Sequence, residues 1–391
     1  MAGKREKDLR FTRVKLINWR NFREAEVRLS DRAFFVGPNA SGKSNFLDAL
    51  RFLRDLVQPT GGGLGAAVER RGGLSRLRCL QARRTSYIEI EVDLGNDKNL
   101  ALWGYRLRFS IVGKEKSVSV LEEQIKKDGS IIINHIRPPN APDPPVFTQT
   151  LIQQVGQNKD FRDIADFFAS IRYLHVVPQI VRDSRRASVG EDDPFGGDLL
   201  RRMKETSSKT RDPRFKRISE ALKIAVPQFS ELELQNDADG HPHLYASYDH
   251  WRPNASKQNE EMFSDGTLRL IGFLWSVAER GGPLLLEEPE LSLHDEVVSR
   301  LPAMIAKAQR LSGRQVIATT HSMALLDAAG IGLQEVHRLV VGNNGTIIET
   351  TKANPKIRAL TEGGWPTGQA VLPFTKPDDI EQLVSVDVVS A

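Results

Sequence analysis

Gly37-Pro38-Asn39-Ala40-Ser41-Gly42-Lys43-Ser44 reads G-x-x-x-x-G-K-S without a mismatch. Glycines at those positions let backbone N–H groups turn inward around phosphates, and a helix starting there adds the partial positive charge of its N-terminus. Lys43 is placed to reach β- and γ-phosphates, Ser44 to ligate Mg²⁺, and Asn45 to follow them on the helix. This loop alone does not choose among kinases, GTPases and ATPases. Further along, Pro283-Leu284-Leu285-Leu286-Glu287-Glu288-Pro289-Glu290 is an apolar run ending in acidic residues. Such an ending can direct one carboxylate, Glu287, toward a Mg²⁺ shell and the next, Glu288, toward an attacking water as general base. A second apolar run ends in Thr319-Thr320-His321-Ser322, where the His321 imidazole can contact a γ-phosphate or the departing product.

Elements that could position these groups are legible in the hydrophobic pattern. Phe11, Val14 and Leu16 begin a strand, Ala25 to Leu29 reads as its antiparallel return, and Ala33 to Val36 is a short apolar strand running into the glycine loop. Phe46, Leu47, Leu50, Leu53 and Leu56 recur at helical spacing and predict a helix over about 43–56. Alternation at Ile88, Ile90, Val92 and Leu94, and again at Trp103, Tyr105, Leu107 and Phe109, predicts an antiparallel sheet within 86–133. Pro138 to Pro145 reads as a loop, Phe161 to Phe168 as an amphipathic helix, and Tyr173 to Val177 as a strand. The polar stretch 183–212 reads as a mobile insertion. From Phe263 onward the pattern becomes helix, buried strand, helix, strand, as parallel strands with crossover helices require.

Composition sets the outer bounds. The chain has 391 residues, 40% hydrophobic and 27% charged, which excludes disorder over most of its length. No apolar run approaches the roughly 20 residues needed to cross a bilayer. No apolar signal core follows the basic segment Met1 to Arg10, and Cys79 is the single cysteine, so the expected location is the cytoplasm. The net charge of +5 gathers into basic groups at Lys4, Arg5, Lys7, Arg10, Arg13 and Lys15, at Arg70, Arg71, Arg76, Arg78, Arg83 and Arg84, and from Arg201 through Arg217. These read either as solvated faces or as a nucleic-acid contact.

Between the glycine loop and the acidic strand lies Phe263-Ser264-Asp265-Gly266-Thr267, followed by an apolar-faced helix. With it, the set resembles the ATP-binding cassette ATPases of the SMC/RecF/OLD type, commonly grouped as AAA-family ATPases. The resemblance covers about 11–54, including Leu16-Ile17-Asn18-Trp19-Arg20-Asn21-Phe22-Arg23, and about 263–341. It implies an α/β, P-loop NTPase fold, an ABC-type ATPase head with an antiparallel β subdomain and a helical insertion. One composite domain is expected: first strands, P-loop and helix in 1–60, the β subdomain in 61–180, the insertion in 181–260, the signature helix with the acidic and histidine strands in 261–350, and an extension in 351–391.

The resemblance further implies ATP hydrolysis with Mg²⁺ and a homodimer, or higher even oligomer, that sandwiches two ATP molecules. Ser264 and Gly266 of one subunit would then close on the γ-phosphate held by the other. Three departures stand out. Asp265 lies where transporters carry glycine and should point away from phosphate, Glu287 replaces the usual aspartate, and His294 stands where an aspartate often crosses the interface. The glutamine that links Mg²⁺ to the lobe interface is not identifiable among Gln153, Gln154 and Gln179.

Other constellations read blandly. His241, His243 and His250 are tempting as a metal cluster, but a surface hairpin around Asp239-Gly240 explains them better. Arg182, Arg185 and Arg186 either contact nucleotide or nucleic acid or hold a loop. Trp19 and Phe22 could flank adenine, although aromatics of a first strand more often pack into the sheet. Beyond a hairpin over 336–349, the acidic residues Asp378, Asp379, Glu381 and Asp387 have too little chain around them for the nuclease domain of OLD proteins.

The function expected is an ATPase sensor or motor head in DNA transactions, acting in anti-phage defence with a separately encoded effector or nuclease, and without a membrane. A non-hydrolysing ATP-binding scaffold and the energising subunit of a transporter are the alternatives. If basic clusters meet DNA, the affinity for duplex falls steeply as salt rises, because several phosphates release counterions. A titration in the presence of ATP measures this, and no binding at low salt removes DNA as a direct partner.

Overall fold

The computed structural model describes residues 9–82, 85–113, 117–183, 185, 193–249, 257–377 and 379–385. Its first strands are β1 (Arg10–Trp19), β2 (Phe22–Arg28), β3 (Arg32–Val36), β4 (Ile88–Gly95), β5 (Trp103–Val112), β6 (Ser117–Lys127), β7 (Ser130–Ile136) and β8 (Arg172–Leu174). Then come β9 (Phe229–Asn236), β10 (Pro242–Tyr248), β11 (Gln258–Asn259), β12 (Leu284–Glu287), β13 (Val316–Thr319), β14 (Val336–Gly342) and β15 (Gly345–Thr350). They form an antiparallel sheet β2-β1-β4-β5-β6-β7, a mainly parallel sheet β15-β14-β3-β13-β12-β8, and a small sheet β11-β10-β9.

The central parallel strands are short and apolar because both faces are covered. Phe35, Leu285 and Ile317 point to one side and join the core that includes Trp19, Phe46, Phe52 and Phe109. Their neighbours Phe34, Leu284, Leu286 and Ala318 point to the other side and pack with Leu268, Ile271, Trp275, Leu301 and Ile305. A period of two along three-to-five-residue strands thus builds two cores on one sheet. The helix Lys43–Val57 lies between the sheets, with Phe46 tilted on Phe35 at 4.3 Å between ring centroids and Phe52 edge-on to Trp19 at 5.4 Å.

Several expectations are corrected. β1 and β2 pair with each other and β1 with β4, so they belong to the antiparallel sheet rather than to a unit with the P-loop, while β3 belongs to the parallel one. The segment read as a mobile insertion contains the helix Leu199–Glu205, whose Leu199, Leu200 and Met203 are buried, and it leads into the helix Ser208–Ala225. The one helix expected between the acidic strand and the histidine strand is divided into Asp295–Val298 and Leu301–Ser312, with Pro302 in the first turn of the second. After β15 the chain packs back through the helices Pro355–Glu362 and Thr367–Val371, burying Ile357, Ala370 and Val371. Lys4, Arg5, Lys7, Arg83, Arg84, Arg186, His250, Asp378 and Asp387 lie outside the described residues.

Many basic residues are neutralised inside the fold. Arg13 meets Glu91, Asp93 and Glu26 across the strands, and Arg10 meets Asp31 and Asp97. Arg71 is buried between Asp48 and Asp55, at 2.9 Å from each, and its guanidinium lies over the Phe52 ring. Burial alone would raise the Asp48 carboxyl, but Arg71, Arg51 and Arg20 hold it below its ordinary range. Removing one partner of such a buried group leaves the others uncompensated. Arg71→Met should therefore lower unfolding stability by about 3–5 kcal/mol, read from the urea midpoint. A loss well under about 1 kcal/mol would show that the cluster is effectively solvated.

Candidate nucleotide and metal site

Parallel pairing brings the ends of three strands to one edge. Leu285 pairs with Ile317, Ile317 with Ala33, and Glu287 and Phe35 both with Thr319, so the loop after β3 lies level with the acidic end of β12 and with His321 after β13. Ligands of open α/β sheets bind at this carboxyl edge.

The loop Gly37–Gly42 is shaped by backbone conformations and close approach. Gly42 has φ of 104°, and a Cβ there would fall 2.1 Å from the Asn21 amide; Ala40 also occupies the left-handed region, with φ of 61°. Asn21, at the β1–β2 turn, donates to the Ser41 carbonyl and to Thr346 Oγ1 at 2.8 Å, and accepts from Asn45 Nδ2 at 2.9 Å. The hairpin of one sheet therefore braces the loop of the other. Lys43 Nζ donates to the carbonyls of Gly37 and Pro38, each at 3.1 Å. Burial lowers the Lys43 ammonium from its ordinary value, while Glu288, Glu287 and Glu290 pull it back up. Ser41 Oγ is buried without a hydrogen-bond partner among the described residues, a spare donor inside the loop. Pro38 is half-buried, and Asn39 and Ala40 are exposed at the rim.

Ser44, exposed at the first turn of the helix, donates its hydroxyl to Glu287 Oε1. A hydroxyl next to a carboxylate is a set of hard oxygen donors suited to Mg²⁺. Together with the loop's spare donor and its glycine-only close approach, this pair fits a magnesium-bound polyphosphate. Glu287 Oε2 accepts from the Tyr173 hydroxyl on β8, and its carbonyl faces His175 Nδ1 at 3.3 Å.

Glu288 has φ of 44°, in the left-handed region that non-glycine residues rarely occupy. Its N–H is held by the Thr319 carbonyl at 3.1 Å and Thr319 Oγ1 at 3.2 Å, and its Oε1 lies 3.4 Å from His321 Nε2. The His321 hydrogen bond depresses the Glu288 carboxyl below its ordinary value despite partial burial. Glu290 accepts from Thr320 Oγ1 at 2.6 Å and from the His321 N–H at 2.9 Å, which fixes the backbone that carries the imidazole. Burial raises the Glu290 carboxyl. An ionised carboxylate beside an imidazole can accept a proton from water.

Ser264 caps the helix Asp265–Ala278 by accepting from the Thr267 N–H at 3.1 Å, and it is exposed. Asp265 is turned into an ion pair with Arg182 at 2.6 Å. Arg182 also donates to the Phe263 carbonyl at 2.8 Å, so it holds a loop. Gly266 approaches the Ser292 carbonyl, where a Cβ would come within 2.5 Å. One turn on, Arg269 faces Glu288 and is lowered by burial, with Asp265 and Glu288 opposing. Its charge went unread in the sequence because it follows the signature within an apolar helix. His294 is exposed and caps the short helix behind it, its Nδ1 accepting from the Glu296 N–H at 3.2 Å.

The remaining candidates settle elsewhere. Trp19 and Phe22 are fully buried, the indole donating to the Asn45 carbonyl at 2.8 Å, so they pack in the core and do not face adenine. Gln153 is occupied with the Leu64 and Thr150 N–H groups at 3.1 and 3.2 Å, and Gln179 is exposed. Tyr173 and His175 stand at Glu287 together with Ser44. The β9–β10 hairpin carries His241 and His243 as expected, but carboxylates do surround them: Asp237 lies 3.3 and 3.4 Å from the two rings, and buried Glu260 lies 2.7 Å from His243. Those partners are four or more positions away in sequence, and Glu260 comes from beyond the hairpin.

Residues 32–327 match the family profile described as "AAA domain, putative AbiEii toxin, Type IV TA system". Among solved structures, the fold is similar to an SMC head bound to the C-terminal winged-helix domain of ScpA, at TM-score 0.58 and 15% identity over 87% of this chain and 97% of that one. It is also similar to the Pyrococcus furiosus Smc head with an extended coiled coil, bound to the C-terminal domain of ScpA, at TM-score 0.55 and 14% identity over 91% and 100%. A third, the Pyrococcus yayanosii Smc head with coiled coil and joint, aligns at TM-score 0.51 and 13% identity over 91% and 100%. No curated protein sequence matches the chain. The family match runs from β3 through the P-loop, the acidic strand and the histidine strand, on a P-loop fold that is similar to that of SMC heads: the chain belongs to the AAA-domain family that this profile describes.

Proposed function

We propose that this protein hydrolyses ATP with Mg²⁺ and that nucleotide draws two copies together, each completing the other's site. The observation that carries the reading is Glu288, held in a left-handed conformation by Thr319 and beside His321, next to the Ser44–Glu287 pair. Holding a glutamate there costs on the order of 1–3 kcal/mol, and such strain gathers where side-chain direction matters.

In this reading the backbone of 37–42, with Lys43, Ser44 and Asn45 after it, cradles the phosphates. Ser44 and Glu287 would hold Mg²⁺, which supplies charge neutralisation to the β- and γ-oxygens when bound. Glu288 Oε1 takes the proton of the attacking water, and His321 orients that carboxylate and meets the γ-phosphate. Ser264 and Gly266 of a second copy close over the nucleotide. Neither surface alone satisfies the triphosphate, so ATP favours the closed pair by its differential contacts.

Exposed Met262, Leu291 and Met323 flank the signature, the acidic turn and the histidine turn, and would be covered in a pair. The biological setting we propose is a sensor or motor head in DNA transactions in the cytoplasm, with a separately encoded effector and a role in anti-phage defence. The toxin–antitoxin wording of the family description and the ScpA-bound SMC heads support a partnered reading. Among the described residues no helix is long and apolar enough to cross a membrane.

Glu288→Gln should lower turnover by about 10² to 10⁴ while retaining nucleotide binding. Light scattering of that variant with saturating Mg-ATP should show the dimer mass. A parent without turnover would leave an ATP-binding scaffold, and a variant that stays monomeric would sink the paired mechanism. The base works ionised, so activity persists down to the depressed Glu288 value and fails below it. His321→Asn removes the main cause of that depression, and the acid limb of the pH–rate profile should move to higher pH.

A further inference from the structure

Glu287 carries one methylene more than the aspartate common at this position, and so one more rotatable bond between backbone and carboxylate. A flexible ligand must lose that freedom each time it binds metal, unless something else already holds it. On β8, which pairs in parallel with β12 in the register Leu285↔Tyr173, the Tyr173 hydroxyl reaches Glu287 Oε2. Oε1 is left facing the Ser44 hydroxyl. The Tyr173 ring is itself held, with the Arg51 guanidinium 5.4 Å from its centroid. Arg51 comes from the P-loop helix, where Ser44, Asp48, Arg51 and Asp55 follow helical spacing along one face, and Asp48 is tied to Arg20 and Arg71.

We infer that Tyr173 is the positioning residue of the metal carboxylate: its hydroxyl fixes Oε2 of Glu287 so that Oε1 is presented to Mg²⁺ beside Ser44. The inference rests on the magnesium reading above and adds a residue to it. A phenol ordinarily titrates at about 10, so the hydroxyl is protonated and can donate at neutral pH. Groups that orient a metal ligand in this way are typically worth 10–100-fold in metal affinity. The hydroxyl does not touch nucleotide in this arrangement, so its effect is expected in the metal dependence and not in nucleotide binding as such.

The test measures binding of a fluorescent ATP analogue against Mg²⁺ concentration, and against EDTA, for the parent, Y173F, E287D and the double variant. Y173F keeps the ring against Arg51 and removes only the donor. It should raise the half-saturating Mg²⁺ by about 10–100-fold and leave binding in EDTA unchanged, which also shows that the variant is folded. E287D draws the carboxylate back from Tyr173, so adding Y173F to it should change the Mg²⁺ requirement by less than about threefold. The requirement should be mirrored in Mn²⁺ binding followed by electron paramagnetic resonance with ADP present. The inference is overturned if Y173F matches the parent in Mg²⁺ dependence, if it weakens binding equally in EDTA, or if the two substitutions multiply independently. Should Y173F fail to fold, an E287D variant whose Mg²⁺ requirement equals the parent's overturns it equally. A parent whose nucleotide binding ignores Mg²⁺ removes the magnesium reading itself, and this inference with it.

Discussion

The level at which four parallel strands end is the constraint on which the rest of the structure depends. β3, β13, β12 and β8 run side by side with Phe35, Thr319 and Glu287 in register and Leu174 opposite Leu286. A slip of one residue in any of them would exchange the two faces of that strand. Leu285 and Ile317 would leave one core for the other, while Glu287 would move by about 3.3 Å along the strand axis, beyond the reach of the Ser44 hydroxyl. Register is therefore enforced by apolar burial on both faces. The polar site inherits its geometry from packing that has no polar groups in it.

What those strands cannot set is the direction of the second carboxylate. Alternation would send Glu288 to the face opposite Glu287, as a continued strand does. The chain instead leaves the sheet at Glu288, with a positive φ, while both its N–H contacts remain on Thr319. Thr319 thus acts twice, as a ladder partner of Glu287 and as the anchor of Glu288. His321, two residues further, is fixed through its own N–H to Glu290, which belongs to the same acidic turn. Acidic turn and histidine turn hold each other, and the strain at Glu288 is offset by several hydrogen bonds rather than by one.

Most of this was legible in the sequence where the signal was periodic or motif-like. The P-loop, the acidic strand, the histidine strand and the antiparallel sheet each announce themselves by spacing, and the elements occur where the spacing places them. Legibility failed where burial depends on distant partners. Arg71 and Arg13 look like solvated charge in a basic run, yet Asp48 and Asp55 lie on the P-loop helix and Glu91 and Asp93 on a strand other than that of Arg13. Leu199, Leu200 and Met203 sit in a polar stretch that reads as loose, and only the second core gives them a place. Tyr173 lies in a three-residue strand, too short for any pattern to mark its hydroxyl.

The segment 173–182 joins these observations, because it touches both halves of the site. At its start Tyr173 and His175 meet Glu287, and at its end Arg182 grips the Phe263 carbonyl and Asp265 at the head of the signature helix. The Arg182–Asp265 pair is partly exposed, so solvent screens much of its Coulomb attraction. Its value is geometric: it neutralises the one carboxylate in the signature and turns it aside. Between these ends Val176 packs so closely on Gly272 that a Cβ there would fall 2.8 Å from it, which brings the helix against the segment without a gap. Acidic strand, connecting segment and signature helix are consequently one packed body. Any closure onto a second copy would have to carry them together, and the exposed Ser264 and Leu291 loops are the parts left to adapt.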